Sequence, residues 1–460
     1  MVLRGLWTGT GIILASERSL PGGFGRLKPL LIRQGSAGAA LRLASMSSGF
    51  VSAILLARIL GAEGLGVYAS ALALLTICSL PLEFGLPTLV TREVARYSRS
   101  GDTALIAGLM RFAFWFTLCV FIPLAALAWG LISLSPWQAQ LVTADYWWWS
   151  LAYIYLIGFG SVASGFLAGG HAVVRAQLPS LLVSPLLFLL LVVTSYFYSP
   201  ERLTPLFVLL IQTLCTLVSA LSCLLMVVHK YRHPLQGVTS DFRIRNWVSS
   251  AWRLGLSNGV RRSQPQILLY ILSLLAPLEA AGLFRIAQRG ASLVAFGASV
   301  VTTTTVPYIS SLLADANSPK LQRLLNRATQ AMAAWALVCF IGILALGEPL
   351  LDMVFGSEFR AAYWLLVICC FVELLRSVYG LSFVALNMAG HERESLKWMW
   401  VSLAVSLLGA VALTPGLGGL GCALAYMSGS IVAFAGANRQ ASKWLSLRFG
   451  PAALISPKTS

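Results

Sequence analysis

Arg285, Gln288 and Arg289 stand three and four residues apart, so a helix through them carries two guanidinium groups and an amide on one face. Upstream, the run Ser257-Asn258-Gly259-Val260-Arg261-Arg262-Ser263-Gln264-Pro265-Gln266 adds two more guanidinium groups, several amides and a proline that removes a helical hydrogen bond. Few carboxylates lie nearby to neutralise these charges. Two readings compete: hydrogen bonds that only brace helices, or a cationic cavity built from Arg261, Arg262, Arg285 and Arg289, with Asn258, Gln264, Gln266 and Gln288 as further polar groups. The shortage of carboxylates favours the cavity. Glu83 and Glu373 are the carboxylates inside apolar runs. Glu373 has Arg376 three residues on, a spacing that suits an internal pair. Glu83 has no opposite charge on its own helix, which leaves a cross-bundle partner such as Arg42, or a role for either acid in binding a coupling proton or sodium ion.

No other chemistry stands out. The eight cysteines lie in apolar runs without CxxC spacing, as buried thiols do. His229 and His233 are four apart but lack a third ligand, and His171 and His391 read as loop residues. There are no paired acids in a soluble loop, no nucleotide-binding glycine loop and no large domain outside the apolar runs. No catalytic residue, cofactor or metal is expected.

The elements that position these residues follow from composition. Of 460 residues, 58% are hydrophobic and 11% charged. A soluble domain carries about 25% charged residues, and a disordered chain would be less apolar still. The chain therefore belongs in a membrane, where free backbone groups go unsatisfied and spanning runs must be helical. Apolar runs predict about twelve transmembrane helices, at 36–60, 66–90, 104–133, 145–167, 172–197, 203–228, 247–274, 278–309, 328–347, 360–387, 397–414 and 417–438.

The net charge is +17, and the basic residues fall in alternate loops: Arg92, Arg96 and Arg99; Arg175; Lys230, Arg232, Arg243 and Arg245; Lys320, Arg323 and Arg327; Arg393 and Lys397. Both ends of the chain are basic too. Positive loops stay inside, so both termini are expected in the cytoplasm. The same rule accounts for the excess charge without nucleic acid. Residues 1–35 are expected as a cytoplasmic segment, 36–228 as a six-helix lobe, 229–246 as a basic inter-lobe loop, 247–438 as a second six-helix lobe and 439–460 as a cytoplasmic tail.

The halves repeat each other. Glu63, Gly66, Tyr68 and Ala71 match Glu279, Gly282, Phe284 and Ala287, and Ala168-Gly169-Gly170-His171 matches Met388-Ala389-Gly390-His391. With six spans each, the repeats share one membrane orientation, as parallel transporter repeats do.

Further motifs run in order: Leu56-Ala57-Arg58-Ile59-Leu60-Gly61-Ala62-Glu63-Gly64-Leu65-Gly66-Val67-Tyr68, then Phe84-Gly85-Leu86-Pro87 and Thr91-Arg92-Glu93. Ala281-Gly282-Leu283-Phe284, Val306-Pro307-Tyr308-Ile309-Ser310, Val354-Phe355-Gly356-Ser357-Glu358-Phe359 and Leu386-Asn387-Met388-Ala389-Gly390 follow, ending with Leu413-Thr414-Pro415-Gly416-Leu417-Gly418-Gly419-Leu420-Gly421. As an ordered set these resemble the polysaccharide flippases of O-antigen type, relatives of the MATE drug exporters. The resemblance implies an all-α polytopic membrane protein with two MATE-like lobes. It also implies export of a lipid-linked oligosaccharide, usually on undecaprenyl diphosphate, among membrane lipids and other polysaccharide-assembly proteins. On that reading Arg261, Arg262, Arg285 and Arg289 would hold the diphosphate. A cation-coupled exporter of small molecules and a non-catalytic member of a glycan-assembly complex are the alternatives.

Overall fold

The computed structural model describes residues 24–133, 144–170, 172–232, 234, 236–314 and 318–454. The expected N-terminal segment therefore lies largely outside the described residues, as do His171, His233 and the last residues of the tail. Within the helices, the side chains of residues 24–37, 39, 128, 131–133, 144–146, 253, 256–258, 260–262, 307, 310, 311, 314 and 318 are outside them too, Asn258, Arg261 and Arg262 included.

The described residues are helical nearly throughout. In the first half, α1 spans Phe24–Glu83, α2 Leu86–Ser100, α3 Thr103–Ser133, α4 Ala144–Gly169, α5 Val173–Leu178, α6 Ser184–Tyr198 and α7 Pro205–Tyr231. In the second half, α8 spans Ile244–Leu275, α9 Leu278–Ala314, α10 Ser318–Phe355, α11 Tyr363–Met388, α12 Glu392–Leu417, α13 Gly419–Leu445 and α14 Pro451–Leu454. A π-helical turn, Pro179–Val183, joins α5 to α6 into one rod.

Among the described residues, nine stretches are long and apolar enough to cross a membrane. The first holds two rods, because α1 breaks at Gly61, whose φ of 67° and ψ of −177° are non-helical. The rods of α8 and α9 are as long but are not among these nine; α8 contributes a shorter apolar stretch, Ser263–Leu275. Splitting the first stretch and adding α8 and α9 gives twelve long rods among the described residues (9 + 1 + 2). The fold class is that of an all-helical polytopic membrane protein.

Several boundaries differ from the hydropathy reading, each for a local reason. Between the first two rods there is no loop, only the Gly61 break. The expected 66–90 span ends at Glu83, because Gly85 has a left-handed φ of 67° and a side chain there would collide with the Ala251 carbonyl. The arginine-rich segment after it is not a loop but the amphipathic α2. It buries Leu86, Leu89, Val90, Val94 and Tyr97 and turns Arg92, Arg96 and Arg99 away. Beyond α13 the tail folds back: Leu447, Phe449 and Ala453 are buried, and the Arg448 amide donates to Gln322 at 2.7 Å.

Helix alternation puts the basic loops at one end of the bundle, here called the basic end. The largest core cluster contains Leu74, Tyr153 and Cys215 from the first half and Leu268, Phe284 and Cys370 from the second. The repeated residues sit in this seam. A methyl group at Gly66 would collide with the Leu278 carbonyl, and one at Gly282 with the Ala62 carbonyl. Equivalent positions of the two repeats thus touch each other, as they do when a pseudo-twofold axis passes between them.

Candidate functional site

The helix α9 follows α8 after a two-residue turn, and its first turns cross α1 at Gly66 and Gly282. One turn beyond that crossing comes Arg285, and one turn further Arg289. Both are half-buried and on one face. Arg285 interacts electrostatically with Arg289 and with Tyr68 and Tyr153, both of the first half. Tyr68 and Tyr153 are themselves buried, and the Tyr68 hydroxyl donates to Gln212 Oε1 at 3.5 Å. The Arg289 guanidinium lies against α1, with Nη1 3.5 Å from where a Cβ on Gly49 would stand. Among the described residues no carboxylate is within ion-pair distance of either arginine. Two desolvated cations side by side repel, so the pair is electrostatically incomplete. Tyr68, Tyr153 and Gln212 escape the spacing argument; the signal for Gln212 is an amide in an otherwise apolar run.

The second expected cluster lies on α8, a helix shared between the halves. Its beginning docks on the first half: Trp247 Nε1 donates to the Tyr97 hydroxyl at 3.0 Å, and the ring packs at a tilt against Phe112, with centroids 5.3 Å apart. Farther along, Gln264 Nε2 donates to Ser402 and Ser406 of α12, at 3.2 and 3.0 Å. The backbone of Asn258, Arg261 and Arg262 runs between these two attachments, where no apolar stretch covers it. At 1.5 Å per residue from the α8–α9 turn, Arg285 lies roughly 10 Å along, Arg289 and Arg262 roughly 17 to 20 Å, and Arg261 roughly 21 Å. Gln264 is committed to α12, while Gln266 and Gln288 are half-buried.

The carboxylates are placed differently from the arginines. Glu373 pairs with Arg376 at 2.8 Å, and Arg376 also donates to the Tyr426 hydroxyl at 3.0 Å. Glu83 accepts a hydrogen bond from Ser161 of α4 at 2.6 Å. Arg42, suggested from sequence as a partner of Glu83, instead donates to Thr303 of α9 at 3.3 Å. At the basic end, a cleft of about 230 Å³ between α2 and the start of α8 is lined by Arg92, Arg96, Arg243, Asn246 and Ser250. Its cations are already partly neutralised, because the buried Glu93 pairs with Arg92 at 3.0 Å and Arg96 at 2.6 Å. No group of three or more metal-ligating side chains occurs among the described residues.

A membrane-embedded bundle of two helical halves, with α1, α8 and α9 along the seam, is the arrangement of a transporter. Solved structures agree on the fold. It is similar to lipid II flippase MurJ in an inward closed conformation, with TM-score 0.69, 13% identity and coverage of 87% of this chain and 86% of that one. It is similar also to an inward-facing multidrug resistance MATE family transporter of the MOP superfamily, with TM-score 0.67, 16% identity and coverage of 89% and 99%. The family follows from the sequence match: residues 33–313 fit the model of the polysaccharide biosynthesis protein family, and the chain belongs to that family. Over 147 residues it is also 25% identical to Agl15 of Haloferax volcanii, described as a probable low-salt glycan biosynthesis flippase. That match spans 31% of this chain and 30% of the relative.

Proposed function

We propose that the protein is a flippase that carries an isoprenoid-diphosphate-linked oligosaccharide across a bacterial inner membrane, by alternating access between two six-helix lobes. The observation that carries this reading is the Arg285–Arg289 pair: two guanidinium groups on one face of α9, against the first half, with no carboxylate in ion-pair range among the described residues. A diphosphate linking lipid to sugar keeps about two negative charges near neutral pH, and guanidinium groups grip phosphate oxygens with forked, charge-assisted bonds. Arg261 and Arg262, at the depth of Arg289 and slightly beyond, would extend the grip along the path. Asn258, Gln266 and Gln288 would supply neutral polar contacts.

The family and the described function of Agl15 support a glycan substrate. The basic loops favour a cytoplasmic basic end with both termini inside. Undecaprenyl diphosphate is the carrier that the resemblance suggests, with other polysaccharide-assembly proteins as neighbours in the pathway. Glu83 and Glu373, the two carboxylates inside apolar runs, are the candidates for ion coupling. A small-molecule exporter for cationic drugs should line its path with acids, and the deep charged residues here are mainly arginines.

Proteoliposomes carrying a fluorescent isoprenoid-diphosphate oligosaccharide test the proposal. Protein-dependent transfer of the headgroup between leaflets, lost in Arg285→Ala/Arg289→Ala, is the expected result. Transfer no faster than in empty liposomes would overturn it.

A further inference from the structure

Three of the ordered sequence motifs, far apart in the chain, converge at the end of the bundle opposite the basic loops. The first rod of α1 ends at the Gly61 break, and its last turn carries Arg58. Arg58 donates from Nε to the Val354 carbonyl at 2.9 Å and from Nη2 to the Met353 carbonyl at 2.5 Å. Those carbonyls belong to the last turn of α10, where a helix leaves acceptors without intrahelical partners and gathers negative partial charge. The second rod of α1 restarts at Ala62, whose amide donates to Glu358 Oε2 at 3.2 Å. That amide is an orphan donor at the positive end of a new helix, where a carboxylate is favoured.

Each half thus caps a helix of the other. A cation from the first half holds a helix C-terminus of the second, and an anion from the second half holds a helix N-terminus of the first. Beside these caps, Phe50 packs edge-on against Phe355, with ring centroids 5.8 Å apart. Just below, Gly66 and Gly282 bring two backbones together with no side chain between them. Arg285 lies three residues past Gly282, about 4.5 Å further along the axis.

We infer that the Arg58 and Glu358 caps, with the Gly66–Gly282 crossing, form the latch of a gate that shuts the Arg285–Arg289 site off from the end opposite the basic loops. The design suits a reversible closure. Both capping side chains are exposed, so water can satisfy them when the halves part. The α10 end that Arg58 releases is at the surface too, with Met353 exposed and Val354 half-buried, whereas Ala62 is buried at the seam. The glycine crossing has no interdigitated side chains to disengage. The latch rests on the proposed transport function only for what the gate admits; its closing and opening concern the protein alone.

Spin labels test it without any substrate. Glu201→Cys and Glu348→Cys put one label on each half, at exposed positions of the gated end, in a background where the exposed Cys119 is Ser. The labelled protein should show one dominant short distance. Arg58→Ala/Glu358→Gln should raise the population of a longer distance about tenfold or more, since two charge-assisted caps are lost. Glu358→Gln alone, nearly isosteric, should give a smaller shift in the same direction. A label pair within the first half, Glu201→Cys with Arg99→Cys, should stay unchanged, which separates gate opening from unfolding. The exchange variant Arg58→Glu/Glu358→Arg should open the gate further, because each partner is a helix end and not the other side chain. An unaltered inter-half distance in the folded double variant, or closure restored by the exchange, would overturn the latch. A gate that opens as described in a protein that moves no glycan lipid would leave the latch standing and refute only the substrate.

Discussion

Two charged sites inside the bundle, one on α9 and one on α11, follow opposite rules. On α11 the charge balance is closed: Glu373 holds Arg376, and the Tyr426 hydroxyl accepts a further bond from it. On α9 the balance is open, with Arg285 and Arg289 beside each other and beside tyrosines, and no acid in range among the described residues. Charges within a membrane bundle usually face a partner or a water-filled path. A site whose countercharge is in the protein holds helices together; one that lacks it is suited to take the countercharge from a ligand.

Substitutions that exchange these characters test the contrast. The largest effect is expected on α11. Glu373→Ala strands the Arg376 charge and should cost up to about 3 kcal/mol, seen as a fall in melting temperature and folded yield. Replacing both partners by apolar residues, Glu373→Leu/Arg376→Met, should restore much of that loss. On α9 the converse holds: Gln288→Glu gives the arginines an internal countercharge at helical spacing. It should leave or improve thermal stability while weakening a diphosphate-linked headgroup about tenfold, equivalent to about 1.4 kcal/mol, by direct titration. Gln264→Ala removes two bonds to α12 and should cost about 1 kcal/mol of stability with headgroup affinity unchanged. The smallest shift belongs to Arg289→Lys, which keeps the charge but loses the fork and should weaken binding about threefold.

What the sequence made legible was whatever is local along one helix. The Arg285–Gln288–Arg289 face and the Glu373–Arg376 pair are readable because three- and four-residue spacing is a property of the helix itself. The repeat was readable as a pattern, but its contact was not: that Gly66 touches Gly282 emerges only when the two halves are brought together. Long-range pairings were hidden for a physical reason. In lipid, outward and inward faces are both apolar, so a run such as α4 does not say which side meets a neighbour. Ser161 gave no sign that it would reach Glu83, and Trp247 none that it would bond Tyr97, 150 residues earlier. The same blindness put the basic residues of α2 in a loop, although its buried Leu86, Leu89, Val90 and Val94 make it an amphipathic helix. Arg58 and Glu358 gave no sign of their partners, because capping a helix end in the other half leaves no trace in spacing.

The open charge balance on α9 is the central claim, and headgroup binding tests it most directly. Purified wild-type protein and Arg285→Ala/Arg289→Ala, both in nanodiscs and matched for melting temperature, would be titrated with a short-chain isoprenoid-diphosphate oligosaccharide. Loss of two charge-assisted phosphate contacts should weaken binding by about thirtyfold or more, with little change in the folded fraction. Wild-type affinity in the folded double variant would contradict the account and leave the two arginines as structural braces.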